Sequence, residues 1–80
     1  MKTIVPDTWA LIDGRITEIL STEKEKARVV ISNCVVAELE YQANTGRETG
    51  FAGLEELKRL TQLAKDGQII VEFAGERPNS

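Results

Sequence analysis

Hydrophobic positions along the chain alternate between short apolar runs and stretches with helical spacing. Thr3-Ile4-Val5 is a short run with two β-branched residues, which favour a strand, and it ends at Pro6-Asp7-Thr8. Beyond it, apolar residues at positions 9, 12, 16, 19 and 20 follow the helical period. Gly14 falls inside that segment, so a bend or a restart is expected there. Residues 21–26 carry charges of alternating sign and read as a solvated turn and helix end. Arg28-Val29-Val30-Ile31 predicts a second strand. Its consecutive β-branched residues suggest burial on both faces, as in a parallel sheet. Ser32 or Asn33 then caps a second helix over residues 34–44, with Val35, Val36, Leu39 and Ala43 as its apolar stripe. At about 100° per residue, Glu38 and Glu40 flank that stripe on opposite sides. Thr45-Gly46-Arg47-Glu48-Thr49-Gly50 reads as a polar loop. A third helix is expected from about residue 51 to 65, with Leu54, Leu57, Leu60 and Ala64 on one face and an outward Glu55–Arg59 pair. Gly67 supplies its left-handed terminator. Residues 68–73 predict the third strand, and Gly75 and Pro78 make residues 74–80 a loop.

The order β-α-β-α-α-β indicates an α/β unit with a parallel sheet. In such sheets ligands bind at the carboxyl ends of the strands. Asp7, placed there, has two readings: an N-cap for the following helix, or a metal ligand and catalytic acid. Glu38 follows the second strand and falls near the same rim. Two carboxylates converging on one rim suit a hard cation. Mg²⁺ takes oxygen ligands and keeps several waters, so one or two protein acids and a substrate phosphate suffice. The glycine-rich loops that cradle phosphates are absent.

Composition narrows the chemistry. The chain has 80 residues, one domain at most, with a net charge of −3 and no histidine. Histidine-based catalytic sets and His-ligated metals are therefore excluded within it. The acidic balance argues against nucleic-acid binding by bulk charge, although bound cations can reach phosphates. Cys34 is the single cysteine, which rules out an intrachain disulfide. Its apolar context predicts a buried small hydrophobe. No secretory signal or membrane-spanning run is present, and the expected location is cytoplasmic.

Val5-Pro6-Asp7-Thr8 followed by Leu11-Ile12-Asp13-Gly14-Arg15-Ile16 resembles the opening of a PIN domain, a family of metal-dependent ribonucleases. Ala37-Glu38-Leu39-Glu40 is similar to the family's second acidic motif. The run Glu38-Leu39-Glu40-Tyr41-Gln42-Ala43-Asn44, with Gly46-Arg47-Glu48-Thr49-Gly50-Phe51 and Gly53-Leu54-Glu55-Glu56-Leu57, resembles one prokaryotic, largely archaeal subgroup. In that subgroup an N-terminal PIN domain precedes an ATPase and a nucleic-acid-binding KH module. The resemblance covers nearly the whole chain. It implies a three-layer α/β fold, an endoribonuclease activity dependent on Mg²⁺ or Mn²⁺, and RNA as partner. By the same resemblance Asp7 is the first metal-ligating acid and Glu38 the second, while Glu40 is structural or solvent-facing. Thr8 and Asp13 stand just outside the metal's ligands, with a turn role beside Gly14 as the other reading of Asp13. Arg47 contacts an RNA phosphate, or is simply a solvated loop arginine.

Two features depart from the family. Trp9 stands where a small or hydroxylated residue is more common, and its indole is expected to pack under the first helix. Further family acids lie on elements beyond the third strand, and the sequence ends at Ser80 before they appear. Residues 1–80 therefore read as the N-terminal part of a single PIN-like domain, truncated before its last strands, with the C-terminal part and the ATPase and KH modules expected in a larger parent. An uncovered sheet edge and apolar faces predict a homo-oligomer. Activity of this stretch alone is expected to be weak or nil. A non-catalytic PIN-like module for assembly or RNA docking is the competing reading.

Overall fold

The computed structural model describes residues 1–75 of the chain. Its elements are β1 (Lys2–Ile4), α1 (Thr8–Asp13), α2 (Ile16–Ser21), β2 (Ala27–Ser32), α3 (Asn33–Asn44), α4 (Glu48–Lys65) and β3 (Ile69–Ala74). The strands form one parallel sheet in the order β1-β2-β3. The α/β class and the parallel sheet are those expected from the hydrophobic periods, and the helical segment expected between the first two strands, with a bend or restart at Gly14, is two helices.

Strand order that advances in one direction, joined by right-handed crossovers, places both helical connections on the same side of the sheet. Burial follows. Ala27, Val29 and Ile31 of β2 and Ile69 of β3 are buried among Leu11, Leu20, Leu39, Leu57, Leu60 and Leu63 from the helices. Arg28, Val30 and Ser32 point the other way, exposed or half-buried. The expectation that β2 is buried on both faces is corrected here. Val30 is β-branched because it lies in a strand, and the described residues place the helical layer on the opposite face only.

Gly14 has φ 75° and ends α1, with its amide donating to the Leu11 carbonyl at 3.1 Å. The expected restart is therefore a true helix break. Helix α4 begins at Glu48 rather than near residue 51. Gly50, expected in a loop, is helical here, and like Gly53 it lies against α3. A Cβ on Gly50 would collide with the backbone of Gln42 and Ala43, and one on Gly53 with the Leu39 side chain. These glycines admit a close helix–helix approach. Cys34 is exposed rather than buried, because it opens α3 just after the Ser32 cap. Ala74 belongs to β3, and Pro78 lies outside the described residues. No helix among the described residues is long and apolar enough to cross a membrane.

Candidate functional site

Pro6 is buried and Asp7 follows it at the exit of β1. Asp7 is the N-cap of α1, in extended conformation, and its Oδ1 accepts from the Ala10 amide at 2.8 Å. That bond satisfies one orphan donor of the helix start. It engages one carboxylate oxygen of an exposed side chain, which leaves the other for a second partner. The cap and ligand readings of Asp7 are therefore compatible. Thr8 is the half-buried first residue of α1.

Glu38 stands in the second turn of α3, the helix that starts directly from the carboxyl end of β2. Its side chain is exposed, and its Oε2 accepts from Gln42 Nε2 at 2.9 Å. Helices α1 and α3 touch. Asp7 and Glu38 thus belong to neighbouring helices, each leaving the carboxyl end of adjacent parallel strands. Glu40, on the other flank of the stripe, is half-buried. Among the described residues no three or more His, Cys, Asp or Glu side chains gather as a metal cluster. Asp7 and Glu38 are hard carboxylates, and each accepts with one oxygen in the bonds given above. Oxygen ligands of this type suit an ion such as Mg²⁺, which draws its other ligands from water and phosphate.

Asp13 ends α1, at the opposite end of the helix from Asp7. Arg15 Nε donates to its Oδ2 at 2.7 Å, and this bond holds the Asp13 carboxyl below its ordinary range. Arg47 is exposed at the N-cap position of α4 and makes no side-chain cap bond. Trp9 is 67% exposed and does not pack under the first helix. It borders an open depression with Ala10, Ile12, Asp13 and Arg15. The physical reason is the shortness of α1, which spends its single buried position on Leu11.

Two buried polar residues escaped sequence reasoning. Glu56 is fully buried on α4. Its Oε2 accepts from the Thr17 amide at 2.8 Å, and its Oε1 from Arg59 Nε at 2.9 Å. Arg59 therefore pairs with Glu56, not with Glu55 as the helical spacing suggested. Gln42 is 6% exposed and also accepts from the Thr49 hydroxyl. A signal existed for both: Glu56 continues the buried row of Leu60 and Leu63, and Gln42 continues that of Leu39.

No protein-family model matches the chain. Over 78 residues, 96% of its length, it is 51% identical to an uncharacterised KH and PIN-domain containing protein of Methanocaldococcus jannaschii. It spans only 12% of that relative. A solved domain of a functionally unknown protein from the same archaeon superposes with a TM-score of 0.88 at 49% identity. That match covers 99% of this chain and 57% of the solved one. The resemblance to archaeal proteins that combine PIN and KH domains is thereby borne out.

Proposed function

We propose that this chain is the N-terminal part of a PIN domain, in which Asp7 and Glu38 hold Mg²⁺ or Mn²⁺ for hydrolysis of RNA phosphodiesters. The observation that carries this reading is the placement of the two acids. They lie on touching helices at the carboxyl ends of adjacent parallel strands, exposed, each with one oxygen engaged and one to spare. A divalent ion in such a place supplies charge neutralisation at the scissile phosphate and a more acidic water, with 3′-hydroxyl and 5′-phosphate ends as products. Asp7 is fixed by its cap bond, so its free oxygen keeps one direction. Glu38 is fixed from the side by Gln42. Arg47, exposed where α3 turns into α4, is the basic group proposed to meet an RNA phosphate. Thr8 and Asp13 are proposed to act outside the ligand set, Asp13 only if Arg15 releases it.

Two acids make a partial set, so the chain by itself is expected to bind a metal weakly and to cleave slowly or not at all. The ATPase and KH modules, a cytoplasmic location and RNA as partner belong to this same proposal. Mn²⁺ titration by calorimetry tests it. Binding that disappears in Asp7→Asn and Glu38→Gln supports the assignment, and binding unchanged in both refutes it. The two-acid set also favours a second reading, a non-catalytic module that docks RNA or assembles. RNA affinity without any metal dependence would select that reading. Self-association is proposed through the sheet face bearing Thr3, Val30 and Ile70, and a compact monomer by light scattering would remove it.

A further inference from the structure

We propose that Gln42, anchored by Thr49, is the positioning residue that holds the Glu38 carboxylate in a single orientation. The inference rests on the reading of Glu38 as a metal ligand and adds the residues that aim it. Gln42 is a primary amide buried in the seam between α3 and α4. A buried amide is costly unless both of its ends are bonded. Here both ends are used, and they point to different elements. Oε1 accepts from the hydroxyl of Thr49 in the first turn of α4, and Nε2 donates to Oε2 of Glu38, one turn back on α3. The Glu38 carboxylate, which can only accept, sets which way round the amide sits, and the Thr49 hydroxyl, which can donate, then holds its carbonyl end.

An exposed glutamate on a helix samples several rotamers, and holding one costs side-chain entropy. A charge-assisted bond from a donor that is itself immobile offsets that cost before any ligand arrives. It also takes one specific oxygen and leaves Oε1 of Glu38 for a cation. The anchor depends on how closely α4 approaches. Gly50, adjacent to Thr49, lies against the Gln42 and Ala43 backbone, where no larger residue fits. Groups that orient a ligand in this way commonly change metal affinity about tenfold or more when removed.

The test uses the 80-residue chain, with Mn²⁺ alone as the probe and thermal melts to establish that each variant folds. Thr49→Val leaves Glu38 and Gln42 in place and removes only the anchor. It is expected to weaken Mn²⁺ binding about tenfold, while Thr49→Ser, which keeps the hydroxyl, binds like the parent. Gln42→Leu should lose as much as Thr49→Val. Folded Thr49→Val and Gln42→Leu variants with parental Mn²⁺ affinity would overturn the inference and leave the metal reading standing. A readout without metal separates the two ideas. In metal-free protein the Gln42 side-chain amide protons should resonate far apart, and Glu38→Gln or Thr49→Val should bring them together. Amide resonances indifferent to both substitutions overturn the positioning role whatever the metal does. Amide resonances that respond, in a chain that binds no Mn²⁺, sustain the positioning of Glu38 and reject its role as a ligand.

Discussion

The packed faces of α4 and the strand-end rim are built from similar residue types and used in opposite ways. Where α4 meets the start of α2, Glu56 is fully buried and both its oxygens are taken, by the Thr17 amide and the Arg59 guanidinium. At the rim, Asp7 and Glu38 are exposed and each has one oxygen engaged. A carboxylate with every acceptor position filled has nothing to offer a ligand, and its value lies in joining helices. One that is half satisfied and open to solvent can still take a cation. The contrast shows that an acid's partners, more than its presence near a sheet, decide whether it is structural or available.

The sharpest way to break the α3–α4 seam is to fill it. Gly50→Ala puts a methyl group into the α3 backbone at Gln42 and Ala43, which cannot move aside as a side chain does. The expected cost is about 3 kcal/mol, at the upper end of overpacking effects. Gly53→Ala meets only the Leu39 side chain and should cost less. Urea unfolding followed by circular dichroism ranks the pair, and equal losses would count against the backbone contact.

Removing the buried acid comes next. Glu56→Ala leaves the Thr17 amide without its acceptor and Arg59 without its ion-pair partner. Breaking a fully buried pair costs roughly 3–5 kcal/mol, but Arg59 is half in water, so about 2 kcal/mol is expected, within the range for an orphaned buried donor. Glu56→Gln keeps an acceptor for Thr17 and should lose less. Both are read from the same unfolding curves, and a neutral Glu56→Ala would show that the buried acid does not join these helices.

The packed faces of α4 and the rim also differ in how far the sequence revealed them. Periods of apolar residues located every strand and helix, because burial of one face imposes the period. Asp7 and Glu38 stood out because each follows a strand closely. Gly50 was misread and Glu56 passed over for the same reason: residue type was weighed without its place in the row. A glycine next to a polar run reads as a loop, yet here it is the contact point of two helices. A glutamate among leucines reads as an outer charge, yet its partner lies 39 residues away, at Thr17. No local rule exposes a hydrogen bond that only the tertiary fold creates. The exposure of Trp9 and Cys34 was hidden likewise, since both belong by type to interiors.

At the rim, stability and ligand binding separate. Asp7→Ala removes the cap from α1 and should cost about 1 kcal/mol, whereas asparagine caps as well as aspartate and should cost almost nothing. The proposed metal role predicts the other order of similarity: Asn fails like Ala, because its amide lacks the charge. Melting temperature and Mn²⁺ titration on the same two variants therefore give different groupings. Identical groupings in both measurements would merge the two roles of Asp7 into the cap alone.

The smallest effect concerns an exposed pair on the sheet, which calibrates what an exposed, fully paired acid contributes. Glu72 of β3 accepts from Arg28 Nε at 2.7 Å and from Nη2 at 2.8 Å, a two-point bridge between β2 and β3. Hydrogen bonding to Arg28 holds the Glu72 carboxyl below its ordinary 4.5. The folded state therefore binds this proton less readily than the unfolded state does. The stabilisation from the pair is fully present above the ordinary glutamate value and is lost as pH falls through the lowered one. Both groups are open to solvent, so salt should screen the effect and keep it small. Melts of the parent and of Glu72→Gln should diverge above the ordinary glutamate value and converge as the pH falls well below it, with the gap narrowing in high salt. A gap that persists at the acid end would mean that Glu72 acts through strand packing, and that exposure alone does not separate an idle acid from one that holds the sheet.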